Sequence, residues 1–226
     1  MRIIALPLPN QRVFLHCYPS EYLAKKVTIH DKIINRIYKY WDSWSASKSY
    51  TKQKVVSLGN RILHATPYEE NFLRAIAPVK KLNDTELHQT LYIEHPPNLE
   101  SSTILAELNR SKQLQRTHTN YLIGNIIGLP LTIPFILIPL IPNIPGFYLC
   151  YRAYCNFRAI QGSIQLARVM SIENIQMQES EKLEKALKLF TNGDATPLNA
   201  LIGHPDFVDR YKRAVAQEQR KSKIIK

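Results

Sequence analysis

The longest apolar run lies between Arg116 and Arg152, which bracket 35 residues without a formal charge. Residues 121–142 include thirteen Leu, Ile and Phe residues, each favouring membrane insertion by about 0.3–0.6 kcal/mol. About 20 such residues cross the hydrocarbon core of a bilayer. We therefore expect this segment to enter a membrane. Burial as a helical hairpin in a water-soluble core is the alternative.

Prolines divide this segment. Pro130 and Pro134 remove backbone hydrogen bonds and predict a kinked first helix. A turn is expected where prolines recur every three residues and a glycine follows, at Pro139, Pro142, Pro145 and Gly146. Residues 147–170 regain a helical pattern. The pattern predicts a kinked transmembrane or re-entrant hairpin, with a single span followed by an interfacial helix as the alternative.

The second leg of this hairpin carries Arg152, Arg158 and Arg168. An arginine in hydrocarbon costs roughly 2.5–3.5 kcal/mol or more, so Arg152 should lie near an interface or be paired. The three arginines are candidate contacts for anionic lipid, with cardiolipin as a candidate headgroup. Ordinary snorkelling to the interface is the simpler interpretation.

The flanking sequences predict short elements. Two extended runs, Arg2–Leu6 and Arg12–Tyr18, indicate a β-hairpin. Helices are expected at 28–65, from Thr66-Pro67 to about Ala77, at Ser101–Arg116, from past Ser163 through Lys182–Phe190, and at Asp206–Gln219, and one strand is expected at Thr90–Glu94. The predicted fold class is a mainly α-helical membrane protein with a short N-terminal β-hairpin. Its predicted divisions are a basic region at 1–118, the membrane hairpin at 119–170 and a helical region with a basic tail at 171–226.

The net charge of +12 and the pI near 9.6 suit contact with anionic lipid, nucleic acid or an acidic protein surface. Trp41 and Trp44 lie among lysines and arginines, a pattern that suits a membrane surface, stacked RNA bases or a small core. The three cysteines have no CxxC spacing, which disfavours a disulfide scaffold or a zinc site. The N-terminus lacks the pattern of a signal or transit peptide, so targeting information would be internal.

The segment from Pro130 to Tyr154, continuing to Gly162-Ser163, resembles the fungal mitochondrial K+/H+ exchange-related family. The resemblance depends on Pro142-Asn143-Ile144-Pro145 and Tyr151-Arg152, and the opening MRIIALPLPNQRVFLHC is similar to the N-terminus of that family. The family signature therefore covers the expected membrane turn, at Pro139, Pro142, Asn143, Pro145, Gly146, Tyr151 and Arg152. The resemblance implies a protein of the mitochondrial inner membrane that takes part in potassium–proton exchange.

An exchanger needs a titratable group within the membrane, and no Asp or Glu occurs between Glu107 and Glu173. We therefore expect an accessory or regulatory component of exchange, with protein partners in an exchange-related complex, rather than a complete exchanger. The alternatives are a membrane-attached matrix factor of the mitochondrial ribosome and a structural adapter for inner-membrane complexes. Nucleic acid is the disfavoured partner but stays open, as does homo-oligomerisation. No motif of an enzyme, cofactor site or metal site is found.

Overall fold

The structure is a computed structural model of the chain. It describes residues 1–18, 66–76, 90–136, 144–171, 175–204 and 206–225, with isolated residues between 43 and 57. Two compact units divide the chain, one formed by Met1–Tyr18 with Tyr68–Lys226 and the other by Pro19–Pro67. The basic helix predicted at 28–65 falls mostly outside the described residues and stays a prediction. All elements below belong to the first unit.

A four-stranded mixed sheet organises this unit, in the order β2-β1-β3-β4. The strands are β1 (Arg2–Leu8), β2 (Arg12–Cys17), β3 (Leu91–His95) and β4 (Ile175–Glu179). β1 pairs antiparallel with β2, with Ala5 opposite Leu15. β3 is parallel to both β1 and β4. The predicted N-terminal hairpin is present, but it is half of a larger sheet.

Helices pack on both faces of the sheet because its strand β1 is apolar on both sides. One core contains Ile3 and Ala5 of β1, and it is covered by α1 (Tyr68–Ala75), α2 (Ser101–Gly128) and α4 (Ile144–Ser171). The other contains Ile4 and Leu6 of the same strand, under the C-terminal helices. Those helices are α5 (Glu181–Thr191), α6 (Thr196–Ile202) and α7 (Phe207–Ile225). A 3-10 turn (Pro130–Thr132) and the four-residue helix α3 (Ile133–Ile136) follow α2.

The expected fold class, a mainly α-helical membrane protein, is wrong. The architecture is mixed α/β, and no helix of the described residues combines the length and the apolarity that crossing a bilayer requires. The physical reason lies in where the helices begin and end. α2 extends only from Thr117 to Gly128 past its last charged residue, a length of about 18 Å. α4 reaches Arg152 two turns after its start.

The close contact of α1 with α4 depends on Gly162. A Cβ built on this residue would lie 1.9 Å from the carbonyl oxygen of Leu73. Backbone of α1 therefore occupies the space that any other residue would need. A glycine inside a helix ordinarily costs about 1 kcal/mol relative to alanine, and here it permits the packing of two helices.

We predict that Gly162→Ala lowers the free energy of unfolding by about 1–3 kcal/mol or more, because α1 and α4 must separate to accommodate the methyl group. Gly124→Ala is the matched control, since a Cβ there meets nothing within 4 Å and alanine favours the helix. Urea denaturation measures both variants. Equal stability of the two would contradict the packing argument.

His16 predicts a pH dependence of stability. Burial, followed by the charges of His204 and Arg210, lowers the pKa of His16 to about 4. The unfolded chain, with a pKa near 6.5, therefore binds a proton that the folded chain does not bind. The associated stability is complete above pH 6.5 and is lost as the pH falls toward 4.

We expect wild-type protein to lose about 2 kcal/mol more stability between pH 7 and pH 5 than His16→Phe, which keeps a ring against Phe207. Denaturation midpoints recorded across this pH range for both proteins test the expectation. Parallel pH profiles would show that His16 does not titrate differently in the folded state.

Candidate functional site

The helices α2 and α4 form a long antiparallel hairpin. Leu149 lies against Gly128 near one end, and Nδ1 of His118 lies 2.9 Å from Oδ1 of Asn156 farther along. Asn156 also donates through Nδ2 to the carbonyl oxygen of Arg152 at 2.8 Å. His118 therefore carries its proton on Nδ1, since the amide oxygen of Asn156 is an acceptor. His118 is the last buried residue of α2.

Arg152 fixes α4 to α1. Its guanidinium donates two hydrogen bonds to the carboxylate of Glu70, at 2.8 and 2.9 Å. Glu70 is 1% exposed and lies 3.9 Å from Arg74 as well. Burial alone would lower the pKa of Arg152, but the hydrogen bond and the charge of Glu70 raise it. The partner that the sequence required for this arginine is therefore a buried carboxylate.

Arg12 connects the sheet with both α1 and α2. It donates to Glu107 at 2.7 and 2.8 Å and to Glu69 at 3.0 Å. The hydrogen bond with Glu107 raises the pKa of Arg12, so the guanidinium stays charged. Adjacent residues of α1, Glu69 and Glu70, thus serve two arginines on different elements. We call Arg12, Glu69, Glu70, Glu107 and Arg152 the α1 ion-pair cluster.

The α1 ion-pair cluster holds α2 through Glu107 and α4 through Arg152, whereas the end of the hairpin where α2 ends and α4 begins is exposed. Large apolar side chains there face solvent, with Ile127 at 67% and Leu131 at 75% exposure. This set, which we call the apolar end, consists of Tyr121, Ile123, Ile126, Ile127, Leu131, Ile133 and Tyr148. Contiguous exposed apolar surface of this kind marks a contact with another molecule or with a membrane.

The predicted family-signature residues separate in the structure. Pro139, Pro142 and Asn143 lie outside the described residues. Pro145 and Gly146 belong to the first turn of α4, where the sequence predicted a turn. Tyr151 places its ring 5.8 Å from the guanidinium of Arg74, and Arg152 binds Glu70. The signature therefore contributes to the start of α4 and to its attachment to α1.

The three arginines predicted to contact anionic lipid differ in their surroundings. Arg152 is held by Glu70, and Arg158 donates to the carbonyl oxygen of Arg74 at 3.1 Å. Arg168 is exposed in the last turn of α4, far from the apolar end. Their role as lipid contacts stays a prediction.

Sequence reasoning missed Glu69, Glu70 and Arg12 as functional residues. The two glutamates stand in the first turn of α1, where acids are expected for helix-dipole reasons alone. Glu70 and Arg152 are separated by 82 positions, so no local pattern joins them. The signal available in the sequence was the free-energy cost of placing Arg152 in an apolar environment without a partner.

Comparison with known families identifies the chain. Residues 2–170, from β1 to the last turn of α4, match the family described as "Mitochondrial K+-H+ exchange-related". This range covers three strands, the α1 ion-pair cluster and the complete hairpin. The chain belongs to this family. The resemblance found in the sequence is therefore confirmed, and it relates the chain to mitochondria and to K+-H+ exchange.

A curated relative of the mitochondrial K+-H+ exchange-related chain is the "Uncharacterized protein YDL183C" of Saccharomyces cerevisiae. It is 29% identical over 214 aligned residues, which cover 79% of this chain and 66% of the yeast protein. The chain thus spans just under two thirds of the length of this relative. No solved structure matches the chain.

The α1 ion-pair cluster makes a prediction about stability. Arg152→Met removes the bidentate partner of a carboxylate that is 1% exposed. We expect a loss of about 3–5 kcal/mol in the free energy of unfolding, because the charge of Glu70 is then buried without its main partner. Denaturant unfolding followed by circular dichroism gives the value.

Arg168→Met is the matched control, because this arginine is exposed on the same helix. Its effect should stay within about 0.5 kcal/mol. Adding Glu70→Leu to Arg152→Met should recover part of the loss, since the uncompensated charge is removed. Identical stabilities of Arg152→Met and Arg168→Met would refute the role of the cluster.

Proposed function

We propose that the protein is a non-enzymatic accessory component of potassium–proton exchange at the mitochondrial inner membrane, attached to the membrane surface by the apolar end of its hairpin. The observation that supports this proposal is the exposed apolar end itself, on a hairpin that buried ion pairs bind to the sheet and to α1. The family relation supplies the process in which the attachment takes part.

The two ends of the hairpin differ in the burial of their apolar side chains, and this difference supports a docking surface at the exposed end. Near the sheet, Ile104 and Leu108 of α2 and Leu166 of α4 are fully buried. At the other end, apolar side chains of the same two helices are exposed. A helix pair that only completed a core would be expected to bury both ends. Lipid or a partner supplies the missing apolar surroundings.

The chemistry of the hairpin suits a regulatory attachment rather than ion coupling. Coupling a proton to a cation requires a titratable group along the ion path, most simply a carboxylate. In the sequence, α2 and α4 together contain one carboxylate, Glu107, and it is bound by Arg12 at 2.7 Å. The protein would therefore act on exchange through a partner, by positioning or regulating it at the membrane.

Replacement of apolar-end residues tests the proposal in mitochondria. In cells that depend on this chain, we expect Ile127→Ser with Leu131→Ser to abolish its rescue of potassium-acetate-driven swelling and to release the protein from membranes. Each change removes about 1 kcal/mol of apolar contact at about 25 cal/mol per Å², or roughly 30-fold in membrane partition for the pair. Nigericin, which exchanges potassium for protons by itself, should restore swelling.

Leu201→Ser is the matched control, because Leu201 is an exposed apolar residue of α6, on the opposite side of the sheet. It should support swelling like wild type. Full rescue by the double variant at normal protein level would refute the attachment. Potassium-dependent proton flux in vesicles that contain only the purified chain would refute the accessory role.

A further inference from the structure

One face of α2 carries both positive charge and apolar surface. Lys112, Arg116, Ile123 and Ile127 are separated by four, seven and four residues, a spacing that places them in one stripe along a helix. Arg116, Ile123 and Ile127 are exposed, and Lys112 is partly exposed. The stripe lies opposite the buried positions Glu107, Ser111 and His118. It therefore faces away from α4 and the sheet.

The charges of this stripe are not neutralised by neighbours. Among the described residues, no carboxylate lies within ion-pair distance of Lys112 or Arg116, and the acid of α2, Glu107, binds Arg12. The sequence contains no Asp or Glu from residue 108 to residue 172. Within the part of the chain that the structure describes, the local field of the stripe is consequently positive, and it would be complemented by an anionic surface.

The spacing of the two halves fits the layers of a lipid surface. Arg116 and Ile123 are separated by about 10 Å along the helix. A bilayer has a hydrocarbon core of about 30 Å and a total thickness of about 40–45 Å, so each headgroup layer is about 5–7 Å deep. Flexible lysine and arginine side chains reach several Å along the surface. With this face of α2 lying along the surface, the isoleucines can therefore reach the acyl-chain boundary while the flexible cations stay at the headgroups.

We propose that this face of α2 docks the hairpin on an anionic phospholipid surface, with Lys112 and Arg116 at headgroup phosphates and Ile123 and Ile127 at the acyl-chain boundary. The inference rests on the proposed function, and it names the lipid chemistry and the residues that recognise it. The inference assigns the charged contacts to α2 rather than to α4, because Arg152 and Arg158 already bind protein acceptors and Arg168 lies in the last turn of α4, far from the apolar end.

Vesicle co-sedimentation of the full-length chain tests the assignment. One set of vesicles is phosphatidylcholine, and the other contains about one third phosphatidylglycerol. Wild-type protein should bind the anionic vesicles more tightly, with an affinity that falls as salt is raised. Lys112→Gln with Arg116→Gln should weaken this binding about 25-fold, or about fivefold for each charge, and leave binding to phosphatidylcholine unchanged.

A variant with the same change in net charge provides the control. Lys182→Gln with Lys185→Gln alters two exposed lysines of α5, which packs on the other face of the sheet. It should bind both kinds of vesicle like wild type. Circular dichroism and thermal unfolding of each variant establish that the fold is intact.

The outcomes separate this inference from the proposed function. Equal binding of wild type to both vesicles, or unchanged binding by Lys112→Gln with Arg116→Gln, would overturn the headgroup contact while the apolar attachment survived. If wild type bound neither vesicle, and protease treatment of native membranes abolished its attachment, a protein would be the partner. Both proposals would then fail.

Discussion

Two adjacent carboxylates on α1 connect the sheet with the hairpin in the first unit. Glu69 and Glu70 bind arginines that belong to different parts of the first unit, Arg12 on the sheet and Arg152 on the hairpin. Each arginine is largely buried, and neither would be tolerated there without its acid. α1 is only eight residues long, yet through these contacts it fixes β2, α2 and α4 relative to one another. These contacts hold the hairpin in place, and its apolar end stays exposed.

The local elements of the fold follow from the sequence, but their assembly does not. Two extended runs predicted β1 and β2, and the strand expected at Thr90–Glu94 is β3. β4 was missed because only Ile175 and Met177 are apolar in a strand that lies at the edge of the sheet. The helix predicted from past Ser163 through Phe190 is therefore wrong at Ile175–Glu179. Because β4 was not predicted, nothing in the sequence indicated that the second leg of the hairpin leads back into the sheet.

The interpretation of the apolar segment failed for a similar reason. A charge-free run shows that side chains avoid water, but it does not show whether protein or lipid replaces the water. In the structure, Ile127 and Leu131 of this run are exposed, while the buried core positions of α4, Cys155, Ala159 and Leu166, lie beyond its end. The need of Arg152 for a partner was predictable from its cost. The identity of Glu70 was not, because tertiary contacts alone bring the two together.

The position of the hairpin within the sheet has a consequence for its dimensions. β3 and β4 are neighbours in register, with Leu91 opposite Ile175, and the whole hairpin is inserted between them. Because the two strands are parallel, the first leg leaves from the end of β3 and the second leg returns to the start of β4, at opposite ends of the paired strands. Adding seven residues to each leg would extend the reach of the hairpin by about 10 Å and leave the strand pairing unchanged. The distance between the folded body and whatever its tip touches can thus vary independently of the sheet.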